Sequence, residues 1–244
     1  MSNIVELFSG IQGEGTIVGF RQIFVRFAQC QLNCHFCDTD FQVYTHASIE
    51  TIPGKRVFES WENPIDAERL VEHILSMNAM LRHHSVSITG GEPLLHYSYL
   101  ANVLPRLRMR GLPVYLETNG LLHRELSEII DSIDMIAMDI KLESTTKQAT
   151  QWVEHERFLS VARGKNVSVK LVVGDQTTER EIEQAARMIS ETAQEAALII
   201  QPVTPTRDVS PPSPERLIAF MDIALGVMAN VRVIPQTHVM LNQL

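Results

Sequence analysis

Beyond residue 66 the chain alternates two hydrophobic patterns. Short apolar runs, rich in β-branched and aromatic residues, occur at 86–89, 114–118, 135–141, 167–173, 197–200 and 231–234, and each reads as a buried strand. Stretches with the helical period lie between them. Asp66 caps the first, whose Leu70, Ile74, Met77 and Leu81 form one apolar stripe. A helix near 97–110 stops at Gly111, with Pro105 interrupting its interior. Helical stretches follow at 121–131 and 152–163. Thr178 and Glu181 make a capping box ahead of Ile182, Ala185, Ala186 and Ile189, and Ser213 with Pro214 opens the last long helix. One further strand, 22–28, precedes the series. Strands alternating with helices require a parallel sheet with right-handed crossovers. Six such units after strand 22–28 predict an α/β fold, a partial (β/α)6-type TIM barrel rather than a closed eight-stranded one.

Two segments fall outside this pattern. Residues 6–20 are glycine-rich; Gly10, Gly13, Gly15 and Gly19 suit tight turns and close approach to a ligand, or a β-hairpin at the barrel edge. Their spacing is not a dinucleotide fingerprint, because no strand–helix context surrounds it. Residues 41–64 lack a clear period and contain Pro53, Gly54 and Pro64, so they read as a surface insertion or flap. No repeat, low-complexity tract or linker divides the chain, so 1–244 is expected to form a single domain.

Composition narrows the class. A 45 % apolar content is that of an ordinary globular core, and the net charge of −8, with no basic run, argues against a nucleic-acid or membrane-surface binder. The start of the chain lacks a basic segment followed by an apolar one, so no signal peptide is read there. No apolar stretch approaches the ~20 residues a bilayer span needs. Free cysteines without an export signal point to a reducing cytoplasm.

All three cysteines, Cys30, Cys34 and Cys37, fall in one short loop, spaced C-x3-C-x2-C, directly after strand 22–28. That end of a strand is where α/β barrels collect their chemistry. Three thiolates on one loop can hold three irons of a [4Fe–4S] cluster. No further cysteine completes the set, so the fourth iron is open to another ligand, as a reactive cluster requires. Other readings stand beside this one. Three cysteines with His35 or His46 would complete a structural zinc site, although His35 lies between two of the cysteines and would strain the loop. A disulfide would leave one thiol over. A non-enzymatic, cysteine-rich metal-binding module is therefore one alternative.

Polar motifs recur where the other strands end: Thr89-Gly90-Gly91-Glu92-Pro93, Glu117-Thr118-Asn119-Gly120, Asp139-Ile140-Lys141, Gln201-Pro202-Val203-Thr204, and His238. Each alone is a turn candidate; together, at the rim that carries the cysteine loop, they outline one pocket. Bare backbone at Gly91 and the Glu92 carboxylate can accept from an ammonium, and Glu117 from ribose hydroxyls. Arg26 interrupts strand 22–28 with a charge that must face an acid or an anionic ligand. His83, His84, His96 and His123 read as solvated surface positions.

The C-x3-C-x-aromatic-C pattern, with Phe36 before the last cysteine, resembles the cluster motif of the radical S-adenosylmethionine (SAM) superfamily. In that superfamily SAM binds the open iron through its amino and carboxylate groups, and reduction splits it into methionine and a 5′-deoxyadenosyl radical. With Ile11-Gln12-Gly13-Glu14-Gly15, Arg26, Cys37-Asp38-Thr39 and the ending Gln236-Thr-His-Val-Met-Leu-Asn-Gln-Leu244, the chain resembles the 7-carboxy-7-deazaguanine synthases of queuosine and deazapurine biosynthesis. The likeness runs from Glu6 to Leu244, with 41–64 and 142–165 matching in length at most.

This resemblance implies a radical SAM lyase. It would convert 6-carboxy-5,6,7,8-tetrahydropterin to 7-carboxy-7-deazaguanine by hydrogen-atom abstraction from C6, ring contraction and loss of ammonia. The implied cofactors are a [4Fe–4S] cluster on Cys30, Cys34 and Cys37, SAM, and Mg²⁺ on the hydroxyl of Thr39. SAM would be held by Phe36, Cys37, Asp38, Gly91, Glu92 and Glu117, by Asp139, Ile140 and Lys141, and by Gln201, Pro202, Val203 and Thr204. The substrate would meet Ile11, Gln12, Gly13, Arg26 and Thr89, with the carboxylate of Leu244 reading its guanine-like face. A flavodoxin- or ferredoxin-type electron donor and a homodimer are also implied, with no nucleic-acid or membrane partner. Many members carry Ser-Pro-Lys where this chain has Asp139-Ile140-Lys141. Asp-Ile-Lys also resembles the activating enzymes of glycyl-radical proteins, the alternative activity, which does not account for the Ile-Gln-Gly-Glu-Gly box.

Overall fold

The computed structural model describes residues 1–34, 42–205 and 209–243. In chain order the strands are β1 Ile4–Ile11, β2 Arg21–Phe27, β3 His46–Ile52, β4 Val57–Glu62, β5 Ser85–Gly90, β6 Val114–Thr118, β7 Met135–Ile140, β8 Asn166–Val173, β9 Ala197–Pro202 and β10 Val231–Val233. The helices are α1 Ala67–Met80, α2 Tyr97–Met109, α3 His123–Ile129, α4 Glu143–Thr146, α5 Trp152–Ala162, α6 Glu179–Thr192, α7 Pro214–Leu225 and α8 Thr237–Met240. All the described strands join one sheet in the order β10-β9-β8-β7-β6-β5-β2-β1-β3-β4. From β2 through β5 to β10 every pairing is parallel, and a helix covers each crossover. The sheet ends on β10 and β4 without joining them, so the barrel is partial, as the strand count predicts.

Side chains alternate across a strand, and here the two faces differ sharply in chemistry. Val86 and Ile88, Val114 and Leu116, Ile136 and Met138, Val169 and Leu171, and Leu198 and Ile200 are buried in the main core with the helices. The intervening positions, among them Ser85, Ser87, Glu117, Asp139, Ser168, Lys170 and Gln201, line the inside and bond to one another. The helices form as their caps demand. Asp66 accepts from the amides of Glu68 and Arg69, Thr178 and Glu181 close a reciprocal capping box, and Ser213 accepts from the Arg216 amide. Helix α2 continues through Pro105 because Leu100, Val103, Leu104 and Leu107 are all buried along it.

Of the two segments outside the repeating pattern, one folds as the hairpin its sequence allows and the other departs from its reading. The glycine-rich start holds a full strand: β1 pairs antiparallel with β2, the hairpin alternative. Residues 41–64 are not an irregular flap over their described part. β3 pairs parallel with β1 and antiparallel with β4, extending the sheet. The signal was hidden because Glu50, a charge in mid-strand, is buried; its carboxylate accepts from the amides of Ser9 and Arg56 at 2.7 and 2.8 Å. His83 is also no surface group. It is buried against Ser9 Oγ at 2.8 Å, and burial, with the nearby Arg21 charge, pushes it down to about 4. His96 is half-buried between Ser2 Oγ and the Ala28 carbonyl.

Candidate active site

The cysteine loop leaves β2 through Gln29, which adopts φ +68°, and packs on the Gly90-Gly91 turn at the end of β5. Gly91 donates to the Phe27 carbonyl at 3.1 Å, and Glu92 donates to the Gln29 carbonyl at 2.8 Å. A Cβ on Gly91 would lie 2.0 Å from the Gln29 oxygen, so only glycine permits this approach. Cys30 and Cys34 are half-buried at the rim. Cys30 Sγ receives the Leu32 amide at 3.4 Å and Asn119 Nδ2 at 3.7 Å, donors that favour a thiolate. Gln31 reaches Asn119 at 3.2 Å, and Gln148 donates to the Asn33 carbonyl at 2.5 Å, bracing the loop from two other strand ends.

Glu92 is read from the sequence as facing a ligand, but its carboxyl turns inward. It accepts from Thr118 Oγ1 at 2.9 Å, the Asn119 amide at 2.8 Å and the Leu94 amide at 3.0 Å. Burial pushes it up to about 7 despite these donors. It holds the 118–120 turn, which carries Asn119 to the cysteine loop.

A polar network fills the barrel interior beneath the rim. Glu117 Oε1 accepts from Gln12 Nε2 at 2.9 Å and Ser87 Oγ at 2.6 Å, and Oε2 from Thr89 at 3.3 Å. Gln12 is itself buried and also donates to Gln22. Next to it, Lys170 forms a short ion pair with Glu14 and stands 3.4 Å from Asp139, which Lys141 meets at 2.8 Å. Burial alone would raise Glu14, but Lys170, aided by Gln236, brings it down to about 2. Burial would lower Lys170 and Lys141 in turn, but Glu14 and Asp139 hold them above the ordinary lysine range. Asp139 Oδ1 and Gln201 Oε1 are buried without a hydrogen-bond partner among the described residues.

The C-terminal segment closes one side. Thr237 donates to the Gly13 carbonyl through both its amide and its hydroxyl, at 2.9 and 3.1 Å. Gln236 donates to Glu14 at 2.7 Å and accepts from Thr204. Arg56 on the β3–β4 hairpin donates to the Asn242 carbonyl at 2.9 Å.

The sequence-derived candidates therefore meet at one rim: Cys30, Cys34, Gly91, Glu117, the 139–141 segment, the 201–204 segment, Gln12, Gly13 and Thr89. Arg26 faces an acid, Glu6 Oε1, at 2.6 Å across the β1–β2 register. Cys37, Phe36, Asp38, Thr39 and Leu244 lie outside the described residues, and among the described residues no third metal-ligating group joins the two cysteines. The sequence reading passed over Lys170, Gln22 and Ser87, and it named Glu14 and Asn119 only as members of their motifs. Lys170 was findable by the argument applied to Arg26: a charge in an apolar strand must be paired.

Cysteine sulfurs at the end of the first parallel strand of an open barrel, above a polar interior, fit one class of protein. The radical SAM superfamily model matches residues 24–189, and the chain is a radical SAM enzyme. Its fold matches that of a radical SAM methyltransferase from Sphaerobacter thermophilus at a TM-score of 0.61, with 15 % identity over 88 % of this chain and 66 % of the other. It also matches the crystal structure of QueE from Escherichia coli at 0.58, with 19 % identity over 97 % and 94 % of the two chains. A 7-carboxy-7-deazaguanine synthase from Geobacter sulfurreducens is 39 % identical across 100 % of this chain and 98 % of its own length. One from Methanocaldococcus jannaschii is 31 % identical across 99 % and 100 %. The chain belongs to the 7-carboxy-7-deazaguanine synthase family.

Membership implies a [4Fe–4S] cluster and SAM. The described residues fit both. Cys30 and Cys34 present soft sulfur ligands with hydrogen-bond donors directed at Cys30, and the buried oxygens of Asp139 and Gln201 are acceptors suited to a ligand that carries N–H or O–H groups. No described helix is long and apolar enough to cross a membrane.

Proposed function

We propose that this chain converts 6-carboxy-5,6,7,8-tetrahydropterin into 7-carboxy-7-deazaguanine with loss of ammonia. The observation that carries the reading is the position of the Ile11–Gly15 box. It sits inside the barrel mouth, bonded to β6 through Gln12, to β8 through Glu14, and to the C-terminal segment through Gly13. A glycyl-radical activase, the rival reading, gives no reason for that box.

When bound, the cluster and SAM supply an organic radical capable of hydrogen-atom abstraction. Cys30, Cys34 and Cys37 would hold the cluster, and Asn119 would keep Cys30 in its thiolate form. Gly91, Asp139, Ile140, Lys141 and the 201–204 segment would bind SAM, with Phe36 and Asp38 beside the last cysteine. Glu92 would act indirectly, through the turn it anchors. Gln12, its amide nitrogen held by Gln22 and Glu117, would offer the remaining lone pair of its carbonyl oxygen to the pterin, alongside Ile11, Gly13 and Thr89. Arg26, oriented by Glu6, would face the substrate carboxylate. Thr39 would offer its hydroxyl to Mg²⁺, a hard ion suited to oxygen ligands. A flavodoxin- or ferredoxin-type protein would supply the electron to a cytoplasmic homodimer.

The test is anaerobic incubation of reconstituted protein with SAM, dithionite, Mg²⁺ and the carboxytetrahydropterin. Deazaguanine product with SAM conserved is expected. SAM cleavage that consumes reductant and leaves the pterin untouched would overturn the reading in favour of an activase.

A further inference from the structure

Arg56 is exposed and lies outside every motif of the site, yet its geometry singles it out. It ends the tight turn between β3 and β4, where its backbone adopts φ +55°. A residue with a Cβ enters that left-handed region at a cost and needs surroundings that hold it there. Glu50 supplies the hold. This glutamate is buried in mid-strand, and its carboxylate oxygens accept from the amides of Ser9, at 2.7 Å, and Arg56, at 2.8 Å. Ser9 belongs to β1, the strand that runs into the Ile11–Gly15 box. The buried carboxylate thus fixes the hairpin tip to that strand.

The side chain of Arg56 reaches the C-terminal segment. Its Nη2 donates to the Asn242 carbonyl at 2.9 Å, and Asn242 is also left-handed, at φ +48°. Behind Asn242 the segment is one compact turn, in which the amides of Leu241, Asn242 and Gln243 donate to the carbonyls of Thr237, Val239 and His238. That turn rests on the box. Thr237 bonds twice to the Gly13 carbonyl, a Cβ on Gly13 would stand 2.3 Å from His238 Nδ1, and Gln236 bonds to Glu14. The segment follows β10, which ends the sheet on one side, and the β3–β4 hairpin ends it on the other. The Arg56 bond therefore ties the two ends of the open sheet together over the box.

We infer that Arg56 is a positioning residue for the Ile11–Gly15 box, holding segment 236–243 against Gly13 and Glu14. The β3–β4 hairpin is then a working part of the substrate site. The inference rests on the reading of that box as the pterin-binding element. Water competes for both partners of an exposed bond, so its loss loosens the segment without unfolding the chain. The effect falls on substrate binding, and the chemical step is spared.

Two substitutions separate the side chain from the backbone turn. Arg56→Gly suits the left-handed backbone and removes the guanidinium, so the hairpin keeps its shape. Arg56→Lys keeps the charge and an N–H donor. Anaerobically reconstituted proteins would be compared by hydrogen–deuterium exchange over 237–243, by iron per chain, and by KM and kcat for the carboxytetrahydropterin. In Arg56→Gly, exchange over 237–243 should quicken by about 3–10-fold and KM should rise by about the same factor, with kcat and iron content held. Arg56→Lys should recover most of both. Unchanged exchange in Arg56→Gly would overturn the inference, and so would faster exchange with a wild-type KM, the pattern of a residue that serves the fold alone. Wild-type protein that leaves the pterin unconverted would overturn the proposed function instead, a separate failure; the exchange data still decide whether Arg56 holds the segment.

Discussion

Among the described residues Lys170 is the one ion-pair partner of Glu14 inside the barrel, and replacing it isolates what that pair contributes. Both side chains are 17 % exposed, so solvent screens them little. Glu14 falls from 4.5 to about 2 in the folded chain, chiefly because Lys170 overcomes the upward push of burial. A displacement of that size corresponds to about 3 kcal/mol of folding stability, at ~1.4 kcal/mol for each tenfold change in the ionisation constant. Breaking a buried pair by removing one partner costs a comparable ~3–5 kcal/mol. Lys170→Met should therefore destabilise the cofactor-free chain by about 3 kcal/mol at pH 7.

The pH dependence gives the sharper test. In the wild type the folded Glu14 value lies below the unfolded one, so its stabilisation is complete above 4.5 and is lost only as pH falls toward 2. In Lys170→Met burial prevails, the folded value rises above 4.5, and stability drains away as pH increases past that point. The gap between the two proteins should widen from pH 5 to pH 7. Urea denaturation followed by circular dichroism at both values measures it, and Lys170→Met with Glu14→Gln should recover most of the loss. A gap below about 1 kcal/mol at pH 7, or one that does not change with pH, would refute the reasoning.

Other residues make shorter predictions. Gly91→Ala puts a methyl 2.0 Å from the Gln29 carbonyl, and it should reduce the iron retained per chain after reconstitution, measured by iron assay. Gly13→Ala puts one 2.5 Å from the His238 amide and displaces the C-terminal segment; kcat/KM for the pterin should fall by about 10–100-fold while iron content holds. Glu92 is pushed up to about 7, so the wild type should lose stability as pH rises from 4.5 toward 7. Glu92→Gln should remove that slope, up to about 1.4 kcal/mol per pH unit, in denaturation curves at pH 5 and pH 7.

Much of the barrel was legible because its strands and helices carry strong periodic signals with matching caps. The apolar run at 167–173 and the box at Thr178 are local chemistry, and they fold as they read. β3 was not legible, because a buried glutamate looks like a surface residue until its partners on β1 and the hairpin turn are known. His83 and Glu92 misled in the same way. Exposure is a property of what packs against a residue, and a single window of sequence does not contain it.

From sequence alone the chain determined its alternation of strands and helices, its cysteine loop, and the set of polar motifs at strand ends. Local periodicity and residue type suffice for these, since each depends on neighbours a few positions away. The tertiary structure decided which polar groups meet. Glu14 finds Lys170 across 156 residues and Gln236 across 222, joining the start, middle and end of the chain within one mouth. Such pairings arise when a sheet curls and brings distant strands side by side, and the desolvated charges then have only each other to satisfy them.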